Sequence, residues 1–259
     1  MENNNFGING VQNTKNLTLD NVLLHVLAYG SLGNGHTDLG SSFPEPFLAS
    51  FDTRVATLIG TKIPYKYYMN FYDFQKDLVT MLEQPIIPFK TLIIDSYSTM
   101  QKSLLNSVTA LTGGAQVKAT IGKEITYTTP TMQDYGLVIS IIIDLMMKLQ
   151  QCPFHTLLLA HEETIKNDMT GMIYTRPLSV GKDLGSNLGS YCDEVWHLKM
   201  GVGLDGNATY NIRTVGTSTE IAKTSLKCLP TIIDITHKKN EPNKGFDIVM
   251  EYVKGVRKE

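Results

Sequence analysis

A glycine-rich segment ending in a histidine and a threonine directly follows the first apolar run of the chain. The apolar run covers residues 22–29, and GSLGNGHT follows it at residues 30–37. The segment matches the phosphate-loop pattern G-x-x-x-x-G-K-[ST] except at His36, where the pattern has lysine. In such loops the glycines let backbone N–H groups surround a phosphate, and the next helix adds the positive end of its dipole. Taken alone, a glycine-rich turn without a ligand is the better interpretation.

Two later apolar runs also end in polar side chains. TLII precedes Asp95, and TLLLA precedes His161. Because parallel strands end at one edge of an open α/β sheet, where ligands bind, we expect both residues to lie beside the glycine segment. A threonine hydroxyl at the end of a phosphate loop ligates Mg²⁺, and a strand-end aspartate holds that metal through water. Asp95 therefore favours a nucleotide site, with Thr37 and Asp95 as metal ligands. The predicted nucleotide-binding residues are Gly30, Ser31, Gly33, Asn34, Gly35, His36, Thr37 and Asp95.

Periodicity and breaker residues predict an α/β chain with a mainly parallel central sheet flanked by helices. The parallel strands are predicted at 22–29, 46–51, 91–96 and 156–161, and the helices at 72–83, 98–109 and 133–151. Residues 113–130 read as a long loop or ribbon, and 162–188 as a second long polar loop. An antiparallel C-terminal extension is predicted at 194–200, 208–215 and 231–236, with a turn at Gly203–Gly206.

One large domain over residues 19–236 fits the length, since no repeat and no clear linker is evident. Residues 1–18 are Asn-rich and are expected to form a flexible N-terminal arm, with docking on a neighbouring subunit as the alternative. Residues 237–259 are predicted as a basic amphipathic tail, helical over 246–256.

Composition restricts the location and partners of the protein. The formal charge is −2, so nucleic-acid binding needs locally basic loops and is not indicated by overall charge. Three cysteines, far apart, form neither a disulfide framework nor a CxxC metal pair, and a reducing cytoplasm is the plain reading. The longest apolar run, residues 137–147, is too short for a bilayer, so we expect no membrane association.

An ordered set of segments resembles a known family. These segments are YGSLGNGHT, FPEPFLASFD, KTLIIDSYSTM, HTLLLAHEE, RPLSVGKDLGSNLGSYCDEVWHL and EIAKTSLKCLP, within residues 19–235. Together they are similar to phage-encoded AAA/RecA-like nucleotide-binding proteins, the RecA-related ATPases of phage recombination modules. The resemblance implies a RecA-like P-loop NTPase fold, ATP and Mg²⁺ as cofactors, and assembly into a homo-oligomer. It also implies single-stranded DNA and a single-strand-binding or annealing protein as partners, in the host cytoplasm.

The resemblance also implies roles for individual residues. Asp52 falls where relatives carry the carboxylate that activates water, and His161 falls at the sensor position. Lys223 falls where relatives place a cation that reaches a neighbouring subunit's site. The segments 113–130 and 162–184 match two loops that face single-stranded DNA, with simple surface loops as an equal alternative. Their candidate DNA contacts are Lys118, Lys123, Lys166, Arg176 and Lys182.

Two positions depart from the family pattern, and both remove a cation. His36 replaces the loop lysine, and Ser225 stands where an arginine commonly follows Lys223. A unit charge pair at about 4 Å is worth roughly 4 kcal/mol at an effective dielectric near 20, and imidazole is only partly charged at neutral pH. The sequence therefore predicts nucleotide binding with weak or lost hydrolysis. A catalytically dead pseudo-ATPase with a structural, regulatory or assembly role is the competing hypothesis.

Overall fold

The computed structural model describes residues 22–53, 58–121, 123–166, 170–237 and 241–257, so the predicted N-terminal arm lies outside the described residues. The strands are β1 (His25–Gly30), β2 (Pro46–Ser50), β3 (Tyr65–Tyr67), β4 (Thr91–Asp95), β5 (Ala115–Ile121), β6 (Lys123–Thr129), β7 (His155–Lys166), β8 (Ile173–Pro177), β9 (Glu194–Val202), β10 (Ala208–Arg213) and β11 (Ile232–Asp234). The helices are α1 (His36–Ser41), α2 (Phe71–Leu82), α3 (Tyr97–Thr112), α4 (Met132–Leu149), α5 (Lys182–Asn187) and α6 (Gly245–Val253), with a 3-10 helix at Leu188–Tyr191.

The main sheet has the order β11-β10-β9-β1-β7-β4-β2-β3. The strands from β9 through β3 in this order run parallel, and β10 and β11 add antiparallel strands at one end. The predicted α/β class, with a mainly parallel sheet and an antiparallel C-terminal extension, is confirmed. β7 lies between β1 and β4, so the glycine segment and Asp95 are separated by one strand.

Both faces of the sheet are covered at its centre, which explains why β1 and β4 are largely apolar and buried along their length. Alternate strand residues such as Leu27 and Ile94 face a core formed with α2, α3 and α4. Their neighbours, such as Val26 and Ile93, face a second core that contains Leu39 of α1 and side chains of α6. The two cores hold the strands in register, and this fixes the positions of the strand ends.

Two ribbons project from this framework. β5 and β6 pair as an antiparallel hairpin, the ribbon that was one of two predicted forms of residues 113–130. The prediction of an irregular loop directly after His161 is wrong, because β7 continues to Lys166 and pairs with β8 from Glu162↔Pro177 to Lys166↔Ile173. The ladder satisfies the backbone of this charged segment, so its polarity reflects side-chain exposure and not irregular structure.

The C-terminal extension follows the predicted pattern. The Gly206 N–H donates to the Gly203 carbonyl over 2.9 Å and closes the turn between β9 and β10. The predicted tail helix forms over Gly245–Val253, with Phe246, Val249 and Val253 buried against the sheet. Among the described helices, none has the length and apolar character needed to cross a membrane.

Candidate nucleotide-binding site

The glycine segment forms a tight connection between β1 and α1. Gly33 and Gly35 have φ angles of 89° and 78°, a left-handed region that favours glycine, and Gly35 directly precedes α1. Gly30 has no room for a side chain, because a Cβ there would lie 2.5 Å from the Leu198 carbonyl oxygen. These glycines therefore have backbone and packing reasons to be glycine, as a phosphate loop requires.

The predicted metal-binding pair is in contact. Thr37 Oγ1 donates a hydrogen bond of 2.6 Å to Asp95 Oδ2, joining the start of α1 to the end of β4. Burial raises the pKa of the Asp95 carboxyl, and the nearby Asp52 charge raises it further, while the Thr37 hydrogen bond opposes both. A cation beside Asp95 would stabilise the buried charge, and hydroxyl and carboxylate oxygens are ligands that suit Mg²⁺.

Asp52 and His161 lie beside this pair, as the strand register requires. Ser50 is opposite Asp95, and Gly30 is opposite His161, so four strand ends lie side by side. Asp52 Oδ1 accepts a 2.6 Å hydrogen bond from Thr99 Oγ1, and its other oxygen lies 3.8 Å from His161 Nε2. The carboxylate and the imidazole are thus held together at the edge where the glycine segment ends.

His36 lacks a polar partner at one ring nitrogen. Its Nε2 is buried and has no hydrogen-bond partner among the described residues. Burial lowers the pKa of His36 to about 4, and the nearby His161 and His197 add to this effect, while Glu162 opposes it. His36 is therefore neutral at pH 7 and supplies none of the charge that a loop lysine carries.

Glu162 is a site residue that the sequence reasoning missed. Its carboxylate accepts a hydrogen bond from the Ser31 hydroxyl and lies 3.0 Å from His197 Nε2. The His197 ring is stacked on Tyr29 with centroids 4.5 Å apart. The signal was available, because Glu162 directly follows His161, the polar residue already placed at this edge.

Asn34 has a structural contact within the glycine segment. Its side-chain amide donates 2.8 Å to the Leu198 carbonyl and fastens the segment to β9. The Tyr210 ring lies 3.4 Å from the position a Cβ of Gly35 would take. The Asn34 side chain is therefore directed to the sheet, and its backbone N–H donates to the Ser31 carbonyl over 3.3 Å within the segment.

The C-terminal segment is joined to α1 through Asp38. His237 Nε2 lies 3.0 Å from Asp38 Oδ2, and Asn243 Nδ2 donates 2.9 Å to the same oxygen. This contact brings residues after β11 to the side of the glycine segment, which sequence order did not indicate.

The predicted intersubunit residues lie outside this site in their own chain. Lys223 Nζ donates to the carbonyls of Cys192 and Gly189 over 2.7 and 3.2 Å. Ser225 Oγ donates 2.6 Å to the Asp193 carbonyl, at the start of β9 and the amino edge of the sheet. Neither residue contacts the glycine segment, so any part they play in hydrolysis requires a second subunit.

The candidate DNA contacts are not equivalent. Lys118 on β5 and Lys166 at the end of β7 are exposed. The prediction for Arg176 requires correction, because its side chain is 3% exposed and its Nε donates 2.9 Å to Glu163 Oε1. This buried ion pair removes Arg176 from the surface available to DNA. The side chains of Lys123 and Lys182 lie outside the described part of the chain.

The glycine segment and the strand ends beside it line a cleft of about 2850 Å³ at the carboxyl edge of the sheet. It is bounded by the glycine segment, the strand ends, residues 59–63 and the segment after β11. Its lining side chains include Ser31, His36, Thr37, Asp52, Lys62, Asp95, His161 and Glu162.

The chain is similar to one protein family and to a solved structure. No curated protein matches the chain. Among solved structures, the chain is similar to the flagellar accessory protein FlaH from Methanocaldococcus jannaschii, at 9% identity, a TM-score of 0.41, and coverage of 88% of this chain and 91% of that chain. A family model described as an AAA domain matches residues 24–226, which contain the glycine segment, Asp52, Asp95 and His161. The chain therefore belongs to this AAA-domain family and has the fold of a P-loop nucleotide-binding domain.

Proposed function

We propose that this protein binds ATP with Mg²⁺ in the carboxyl-edge cleft and acts on single-stranded DNA in phage recombination or replication, with weak or lost hydrolysis. The observation that carries the nucleotide part is the 2.6 Å contact between Thr37 and Asp95. A hydroxyl at the end of a glycine loop and a buried strand-end carboxylate are the two groups that position magnesium beside phosphates.

The residues present fit Mg²⁺ and a polyphosphate. Thr37 and Asp95 would hold the ion, which would neutralise charge on the phosphates when bound. The hydrogen bond holds Thr37 Oγ1 and Asp95 Oδ2 next to each other, where both could contact one ion. Burial of the Asp95 carboxylate favours a cation beside it. The backbone of residues 30–37 supplies N–H donors around the phosphate chain.

Asp52 and His161 are the groups placed to assist hydrolysis. The Asp52 carboxylate is held by Thr99 and can accept a proton from an attacking water. His161 Nε2, 3.8 Å away, can sense the terminal phosphate and transmit its presence along β7. Hydrolysis is expected to be slow, because neutral His36 does not stabilise charge that develops on the phosphates.

Exposed lysines on the two ribbons support the DNA part of the proposal. Lys118 is on the β5–β6 hairpin, and Lys166 ends the part of β7 that extends beyond the site residue His161. β7 thus runs directly from the cleft to a candidate DNA contact. A head-to-tail homo-oligomer and a single-strand-binding or annealing protein are the assembly and partner proposed with it.

Two titrations test this function. Binding of ATP-Mg²⁺ and of a single-stranded oligonucleotide is measured by calorimetry and fluorescence anisotropy at low salt. We expect saturable binding of both, and stronger DNA binding when ATP is present. Absence of nucleotide binding at millimolar ATP would contradict the nucleotide part. Nucleotide binding without DNA binding would contradict only the DNA part.

A pseudo-ATPase retained for assembly or regulation is the second candidate. It is favoured by neutral His36 and by the internal hydrogen bonds that engage Lys223 and Ser225. Steady-state hydrolysis with and without DNA separates the candidates, since turnover that Asp95→Ala abolishes excludes a dead enzyme. The double variant His36→Lys, Ser225→Arg should raise nucleotide affinity or turnover if loss of these cations is the cause.

A further inference from the structure

The described part of the cleft lining is poor in positive charge. Among its described lining residues, Lys62 is the one lysine or arginine. Carboxylates line the same cleft at Asp38, Asp52, Asp95, Glu162, Asp205, Asp234 and Glu241. A triphosphate carries several negative charges, so a cation among the described lining residues would favour its binding beside these carboxylates.

Lys62 belongs to residues 58–64, the described part of the connection between β2 and β3 that leads into β3. Leu58 and Ile63, on either side of Lys62, pack against the core cluster that contains Leu39 of α1. The Leu48 N–H donates 3.0 Å to the Pro64 carbonyl, and the Thr61 N–H donates 3.0 Å to the Leu58 carbonyl. The segment is therefore fixed on the α1 side of the sheet, where the helix carrying His36 and Thr37 begins.

The Lys62 ammonium is available for a ligand. Its side chain is exposed, and it makes no hydrogen bond or ion pair with the described residues. Lys66, four residues later, differs from Lys62 because its ammonium forms an ion pair with Asp77. An exposed lysine without a partner on an otherwise acidic cleft wall gains most from an anionic ligand.

The His36 ring also indicates that a polar ligand group binds beside the glycine segment. Its buried Nε2 has no partner in the described structure, so a polar group is missing beside the glycine segment. A phosphate oxygen would accept from that nitrogen if it carries the proton, but neutral imidazole adds no full charge. We infer that Lys62 contacts the phosphate chain of the bound nucleotide and supplies the cation that the phosphate loop of this protein lacks. This inference rests on the proposed nucleotide binding.

Binding of ATP-Mg²⁺, ADP-Mg²⁺ and adenosine to Lys62→Gln and to a control, Lys102→Gln, tests the inference. Lys102 is an exposed lysine of α3 outside the cleft, so the control makes the same charge change elsewhere. A hydrogen bond to a charged group contributes enough that we expect Lys62→Gln to weaken ATP binding about tenfold or more. We expect ADP to lose less, adenosine to lose nothing, and the control to match the wild type.

A rescue variant makes the result specific. In a Lys62→Gln background, His36→Lys restores the cation within the loop and should recover most of the lost ATP affinity. Thermal unfolding of each variant checks that the fold is retained. Wild-type ATP binding with unchanged affinity in Lys62→Gln would overturn the role of Lys62 and leave nucleotide binding intact. Failure of the wild type to bind ATP would overturn both proposals.

Discussion

Two histidines with similarly lowered pKa values lie at opposite edges of the central sheet. His155 begins β7 at the amino edge, and His36 lies at the carboxyl edge beside the glycine segment. Burial lowers the pKa of each to about 4. Protonation is therefore disfavoured to a similar degree in both side chains, and the pKa alone does not distinguish their roles.

Their hydrogen bonds do distinguish them. His155 Nδ1 accepts a 3.0 Å hydrogen bond from the Leu24 N–H, and its ring lies edge-on to Phe246 at 5.2 Å. His36 Nε2 is buried without a partner in the described structure. Since buried polar groups in folded proteins are nearly always paired, the amino edge is a completed structural contact, whereas the carboxyl edge lacks one. An unpaired buried atom indicates a ligand position more strongly than a perturbed pKa does.

The largest expected effect is at the carboxyl edge. Asp95→Asn should weaken ATP-Mg²⁺ binding by about 100-fold or more, because it removes the charge that is proposed to hold the metal ion. Stability should change little or rise, since the folded state no longer buries a charge beside Asp52. Calorimetric titration measures affinity, and thermal unfolding measures stability.

A matched aspartate lies at the amino edge. Asp193 Oδ2 accepts from the His25 N–H over 3.3 Å, far from the glycine segment. Asp193→Asn should leave ATP affinity unchanged. Equal effects of the two substitutions on nucleotide binding would break the division between a ligand-binding edge and a structural edge.

His155→Ala should have the opposite signature, a loss of stability by about 2 kcal/mol with nucleotide affinity retained. The substitution leaves the Leu24 N–H without its acceptor and removes ring contacts with Phe246 and Phe43. Urea unfolding measures the change. His36→Ala is the comparison, and a loss of stability as large as that of His155→Ala would mean that His36 is also structural.

The position of the site could be predicted from the sequence because short physical rules determine it. An apolar run that ends in a polar residue predicts a buried strand and places that residue at a known edge. This rule locates Asp95 and His161, the family resemblance locates Asp52, and the register of β2, β4, β7 and β1 brings the strand ends together. The glycine spacing predicted the phosphate loop because a backbone with left-handed φ angles favours glycine at those positions.

Contacts between distant segments were not predictable in the same way. The family resemblance predicts Arg176 as a DNA contact because its segment matches a DNA-facing loop, but its pairing with Glu163 depends on the β7–β8 ladder. Lys62 carries no motif, and only packing of its segment beside α1 brings it into the cleft. Glu162 could have been found by extending the strand-end rule by one residue.

The pH dependence of stability gives an effect of similar size that also separates the two edges. A histidine whose folded pKa is lowered binds its proton on unfolding, so its burial costs stability as pH falls below 6.5 towards about 4. His36→Gln should therefore reduce the loss of stability between pH 7 and pH 5 by about 2 kcal/mol.

ATP-Mg²⁺ provides the control for this measurement. Phosphates beside His36 favour its charged form, so saturating nucleotide should flatten the wild-type profile and leave the contribution of His155 unchanged. Urea unfolding at a series of pH values gives both profiles. Identical profiles for the wild type and His36→Gln would contradict the lowered pKa of His36.

The smallest expected effect compares an exposed and a buried cation among the candidate DNA contacts. Lys118→Ala removes an exposed cation from the β5–β6 hairpin and should weaken binding of a single-stranded oligonucleotide about threefold at low salt. The slope of log affinity against log salt should fall in magnitude by about 0.7, the value for one phosphate contact on a single strand.

Arg176→Ala removes the same charge but breaks the buried pair with Glu163, so it should lower stability and leave the salt slope unchanged. Anisotropy titrations at several salt concentrations measure both. If Arg176→Ala reduced the slope and Lys118→Ala did not, DNA would be contacting the β7–β8 ribbon in a conformation that releases Arg176 from Glu163.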